Sequence, residues 1–212
     1  MKKENENGKQ IRRKSKRLLK KEYKKEYKEL KGLTKEELVD KAIEHAWDDA
    51  VIYEKRYKNN IDIIKNKDEI CDILKDEINN KNFASQEEFD KWHTEICQNE
   101  LHGMRYGLWQ KLINMTFKYL YCCNLTGLNN FDFNFEYCHC PIDTHIAKTV
   151  FRKIKDDTSK DLNLAWNIAT SQKDYSWNYI TKENYLKIQE AIKDICNDDN
   201  NTPLQFDIFY WQ

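Results

Sequence analysis

The stretch 106-YGLWQKLINMTFKYLYCC-123 constrains the fold more than any other part of this chain. Leu108, Leu112, Met115, Tyr119 and Cys122 step by four and three residues, which sets one apolar face on the period of an α-helix. Lys111, Asn114 and Lys118 share a separate polar stripe. Lys111 falls in the first turn, near the positive end of the helix dipole, so desolvation there would lower its pKa. Gly107 stands just ahead of it, where the missing Cβ lets something come close to the backbone.

The same period runs through most of the remaining sequence. Thr34-Lys-Glu-Glu37 forms a capping box, in which Thr34 accepts from first-turn amides and Glu37 reaches back. Leu38, Ala42, Ala46 and Ala50 follow at helical spacing. Residues 61–78 set Ile64, Cys71, Ile73, Leu74 and Ile78 loosely along one face. Ser85-Gln-Glu-Glu88 is a second box, ahead of Phe89, Trp92 and Cys97. Thr181 opens a further helix, with Tyr185, Ile188, Ile192 and Ile195 turned inward. Alternation with period two is confined to 131-FDFNFEY-137, a short strand or an extended insertion. With 5 Gly and 2 Pro in 212 residues, turn-rich β architectures are excluded and an all-α fold is expected.

Charge divides the chain unevenly. The totals balance at 36 Lys+Arg against 36 Asp+Glu, yet residues 1–32 carry 14 basic and 5 acidic side chains. These residues form a basic arm ahead of a helical domain at 33–212. The arm is either a phosphate-binding element or a solvated tail. No apolar run is long enough to span a bilayer, so no membrane contact is expected. Seven cysteines without a secretory signal indicate a reduced, cytoplasmic protein with free thiols.

Chemistry-bearing residues gather in 138-CHCPIDTHIAKTV-150. In an extended segment Cys138 and Cys140 face one way and His139 the other, which is poor geometry for one metal ion. Cys122 and Cys123 would complete a site only if the chain folded back. No metal and no cofactor are expected, and the cysteines read as buried thiols. Pro141 ends whatever precedes it. Asp143 then caps a helix whose apolar stripe is Ile146, Val150, Phe151 and Ile154.

Two strings together resemble the helix-hairpin-helix DNA glycosylases. PIDTHIAKTV is similar to that superfamily's V-D-T-H signature, and QKLINMTFKYL to its helix that opens on a nucleophilic lysine followed by K-x-x-N. The longer connection between Lys111 and Asp143, and the tail 203-PLQFDIFYW-211, look closest to the archaeal 8-oxoguanine DNA glycosylase branch. The likeness covers roughly residues 100–155 and the C-terminal dozen. It departs at the hairpin, where 102-HGMRYGLWQK-111 offers only Gly103 and Gly107, and it lacks the iron–sulfur cysteines.

The resemblance implies a two-lobed helical fold with an active-site cleft between the lobes, acting as a monomer on DNA with a flipped modified base. Lys111 would be the nucleophile and Asp143 the carboxylate that stabilises charge on the sugar. Gln110 and Asn114 would read a base edge, Trp109, Trp166 or Trp211 would stack on the base, and His145 would lie near Asp143 or a phosphate. Gly107 belongs to the region that holds DNA phosphate. An oxidised purine would make the enzyme one of base-excision repair, and a bulky phage-type pyrimidine one of anti-phage defence. Two alternatives stay open: a non-catalytic DNA- or protein-binding relative, and a helical scaffold in which Lys111 and Asp143 never meet.

Overall fold

A computed structural model describes residues 30, 32–52, 61–126, 131–154, 167–168 and 177–210. Among these the regular structure is helical and no strand occurs, so the fold is all-α. Most of the basic arm lies outside the described residues. Eight α-helices follow in order: α1 (Lys35–Trp47), α2 (Ile61–Lys65), α3 (Lys67–Asn80), α4 (Gln86–Cys97), α5 (Tyr106–Thr126), α6 (Thr144–Ile154), α7 (Lys182–Asp199) and α8 (Pro203–Tyr210).

Local signals start these helices. The Thr34 hydroxyl accepts the Glu37 amide, and the Glu37 carboxylate accepts the Thr34 amide at 2.8 Å, closing the box. Ser85 caps α4 through the Glu88 amide, but the Glu88 carboxylate reaches one residue further back, to the amide of Ala84. Thr181 caps α7, and Asn200 ends it in the left-handed conformation. The 61–78 segment is two helices broken at Asn66 rather than one. This turns Ile63 and Ile70 inward and leaves Ile64 40% exposed.

Helix α5 is the axis of the molecule. α1 and α4 pack along it, a 3-10 turn at Trp177–Tyr179 lies against it, and every residue from Gly107 to Lys118 is buried. Its apolar side chains meet Phe89, Trp92 and the alanine face of α1, a core of the kind that contributes about 1.5–3 kcal/mol per large side chain. The helix begins at Tyr106, so Lys111 stands in its second turn and not its first. The direct dipole effect expected for Lys111 is correspondingly weaker.

After α5 the chain turns back along it. Residues 131–137 form no strand; they end in a 3-10 turn at Phe135–Tyr137. Their alternation survives as alternate burial, with Phe131 and Phe135 inside and Asp132, Asn134 and Glu136 outside. Phe133 reaches Phe117 of α5, ring centroids 4.8 Å apart. The side chain of Asn124 supplies what a neighbouring strand would have given: its Nδ2 donates to the Phe131 carbonyl at 2.7 Å, and its Oδ1 accepts the Phe131 amide at 2.8 Å.

Candidate active site

Asp143 sits where the returning segment meets α6. Its Oδ1 accepts the amides of His145 and Ile146, both at 2.9 Å, which caps the helix. Its Oδ2 accepts from Lys111 Nζ at 2.7 Å. One carboxylate thus caps a helix with one oxygen and pairs a buried lysine with the other. Burial opposes ionisation of Asp143. The charge and hydrogen bond of Lys111, the Ile146 amide and the more distant Lys118 outweigh it, and the carboxyl is held below its ordinary range. The Trp177 ring lies beside the amine, its centroid 6.0 Å from Nζ.

Two turns along the same stripe of α5 a second buried pair forms. Lys118 Nζ lies 2.5 Å from Oδ2 of Asp207 on α8. Burial pushes the Asp207 carboxyl up, and the charges of Lys118 and Lys111 only partly restore it. Burial also opposes the Lys118 charge, but Asp207 outweighs it and raises the ammonium pKa. Each lysine therefore lies within electrostatic reach of both carboxylates.

Gln110 and Asn114 are fully buried, and their amides are spent on the protein itself. Gln110 Nε2 donates to the carbonyls of Gly107 and Ile142, both at 3.0 Å, while its Oε1 accepts the Ile142 amide at 3.2 Å. Asn114 Nδ2 donates to the Tyr185 hydroxyl at 2.9 Å, to Gln110 Oε1 and to the Cys140 carbonyl. Its Oδ1 accepts from His93 Nε2 at 3.1 Å. From Tyr185 the network runs outward: the hydroxyl donates to His139 Nδ1 at 2.9 Å, and His139 Nε2 donates to Asp90 at 2.8 Å. These directions make both imidazoles neutral, as their burial requires, and both pKa values are pushed down.

The Cys-His-Cys stretch is thus a structural insert. His139 points to Asp90 and Tyr185, and all seven cysteines, Cys138 and Cys140 among them, are free thiols. Burial pushes the Cys138 and Cys140 thiols well up. No group of three or more His, Cys, Asp or Glu among the described residues could hold a metal ion.

The remaining expected site residues fall in different places. Trp109 is wholly buried, with its indole N–H donating to the Asn99 carbonyl at 2.6 Å; this position serves the core and not base stacking. Gly107 does admit a close approach, but by the chain's own backbone: a Cβ there would lie 2.3 Å from the Trp177 carbonyl oxygen. His145 is exposed and gives its backbone amide to Asp143. Trp166 and Trp211 lie outside the described residues. Sequence reasoning did not single out Trp177, the Asp207 partner of Lys118, or the Asp90–His139–His93 network. The one readable signal among these was an aspartate inside the apolar run PLQFDIFY.

A buried lysine in a single hydrogen bond to a carboxylate can exchange a proton along that bond, and the carboxylate can offset positive charge beside it. In the structure the pair is nearly closed off, with side-chain accessibilities of 7% and 17% for Lys111 and Asp143. No family model, curated protein or solved structure matches the chain. No helix among the described residues is long and apolar enough to cross a membrane.

Proposed function

We propose that this chain is a lysine-dependent DNA glycosylase with an associated abasic-site lyase step, acting on a modified base flipped out of the duplex. The observation that carries the reading is the 2.7 Å bond between Lys111 Nζ and a helix-capping Asp143 from 32 residues away. In this mechanism Lys111 gives up its proton, and its lone pair forms a bond to the sugar C1′. The electrons of the glycosidic bond leave with the base, which takes up a proton. Asp143, held ionised, offsets the positive charge that grows on the sugar. Ring opening gives a Schiff base on Lys111, and loss of a C2′ proton expels the 3′ phosphate. A two-lobed arrangement with the cleft at Lys111, and phosphate contacts from the basic residues of 1–32, belong to the same reading. So do an oxidised purine or bulky modified pyrimidine as substrate, and a role in repair or defence.

Borohydride trapping on duplex DNA carrying an abasic site tests this. A covalent adduct is expected with the wild-type protein and is lost in Lys111→Gln. No adduct, or one undiminished in Lys111→Gln, would sink the lysine mechanism. The low accessibility of both side chains favours a second reading, a helical DNA- or protein-binding relative in which the pair is purely structural. Under that reading DNA binds without any adduct.

A further inference from the structure

The segment that delivers Asp143 has no sheet to hold it, yet its backbone is bonded as if it had one. Gln189 of α7 donates from Nε2 to the Cys140 carbonyl at 2.6 Å and accepts the Cys140 amide at 3.2 Å. Two residues on, Gln110 does the same to Ile142, donating to its carbonyl at 3.0 Å and accepting its amide at 3.2 Å. Each side-chain amide thereby replaces one residue of a neighbouring strand. Cys140 and Ile142 stand at the spacing at which a strand repeats its backbone direction. The clamps come from two different helices, and the second lies one residue before Asp143 and one residue before Lys111.

We propose that Gln110 and Gln189 are positioning residues for Asp143: they lock the extended backbone of 140–142 so that the carboxylate meets Lys111 in one fixed geometry. The proposal rests on the Lys/Asp reading for its catalytic meaning, but its geometric content stands apart from it. Gln110 is the stronger lever. It belongs to the same helix as Lys111, so its two bonds to Ile142 set the distance between nucleophile and carboxylate within a single turn. A glutamine in this role makes no contact with a base, which replaces the edge-reading role expected for Gln110.

The test uses Gln110→Met and Gln189→Met, which keep side-chain length and remove both halves of a clamp. Asp143 is titrated by carboxyl carbon-13 NMR, and trapping of abasic DNA is measured as a single-turnover rate alongside DNA affinity. In folded Gln110→Met the Asp143 pKa rises above its wild-type value, and trapping slows at least tenfold with affinity changed less than threefold. Gln189→Met shows the same pattern, more weakly. A folded variant whose Asp143 titrates like wild type overturns the proposal. Should neither variant fold, amide exchange of Cys140 and Ile142 in the wild-type protein decides the matter: protection supports the clamps, and exchange as fast as in an open loop refutes them. A wild-type protein that never traps DNA would end the glycosylase reading while leaving the titration result intact.

Discussion

Replacing Gly107 by alanine probes the closest backbone approach in the site. The new Cβ would meet the Trp177 carbonyl oxygen at 2.3 Å and the Asn178 backbone at 2.6 and 2.7 Å. All three obstacles are main-chain atoms, so no rotamer change relieves them. Ordinary contact needs about 3.4 Å, so the 177–179 turn must withdraw by about 1 Å. Overpacking of this kind costs about 1–3 kcal/mol, and a backbone shift belongs at the upper end. Alanine regains about 1 kcal/mol in helix propensity over glycine. The net loss is about 2 kcal/mol, which at a urea slope of about 2 kcal/mol/M lowers the unfolding midpoint by about 1 M. Because the Trp177 ring lies beside Lys111, its fluorescence in the folded state should change as well. A midpoint equal to or above wild type would show that the turn is not seated against α5 as described.

Two further outcomes follow from the buried charges. Lys118→Met strands Asp207 in the interior and should cost about 3–5 kcal/mol, whereas Lys118→Met/Asp207→Leu should recover most of it; urea unfolding of both variants checks this, and a single variant as mild as the double would refute it. Folded His93 and His139 have pKa values below that of the unfolded chain, so the stability of their neutral state is complete above about pH 6.5 and declines as pH falls below it. Melting temperature should therefore drop between about pH 7 and 5, with a slope of up to about 2.7 kcal/mol per pH unit for the two groups together. A melting temperature flat across that range would contradict the assigned tautomers.

The helices were legible where their causes are local. Thr34, Ser85 and Thr181 cap helices because a hydroxyl finds amides two or three residues on, and that needs no knowledge of the rest of the fold. Asp143 was readable as a cap for the same reason, and its lysine partner through the spacing of two recognisable strings. Residues 131–137 were ambiguous because their alternation is satisfied by Phe83 and Phe117, which no short window contains. Gln110 was misassigned for a related reason. A glutamine beside a candidate nucleophile reads as a recognition group until its partner, the Ile142 backbone, comes into view. Lys118 looked like one more member of a polar stripe, and only α8 folding onto α5 reveals that it is buried against Asp207.

The buried polar groups of α5 also decide which rotation and height that helix can adopt. A helix enclosed along most of its length has many nearly equivalent ways to seat leucine, isoleucine and phenylalanine. The polar residues at 110, 111, 114 and 118 do not repeat with the turn, and this removes the degeneracy. Sliding α5 by four residues would set Met115 against the Asp143 carboxylate and Cys122 against Asp207. Sliding it by seven would bring Lys118 to Asp143 but put Phe117 where Gln110 must hold Ile142. Every near-miss strands a buried charge or an unsatisfied amide, so α5 carries an address that apolar packing alone could not encode.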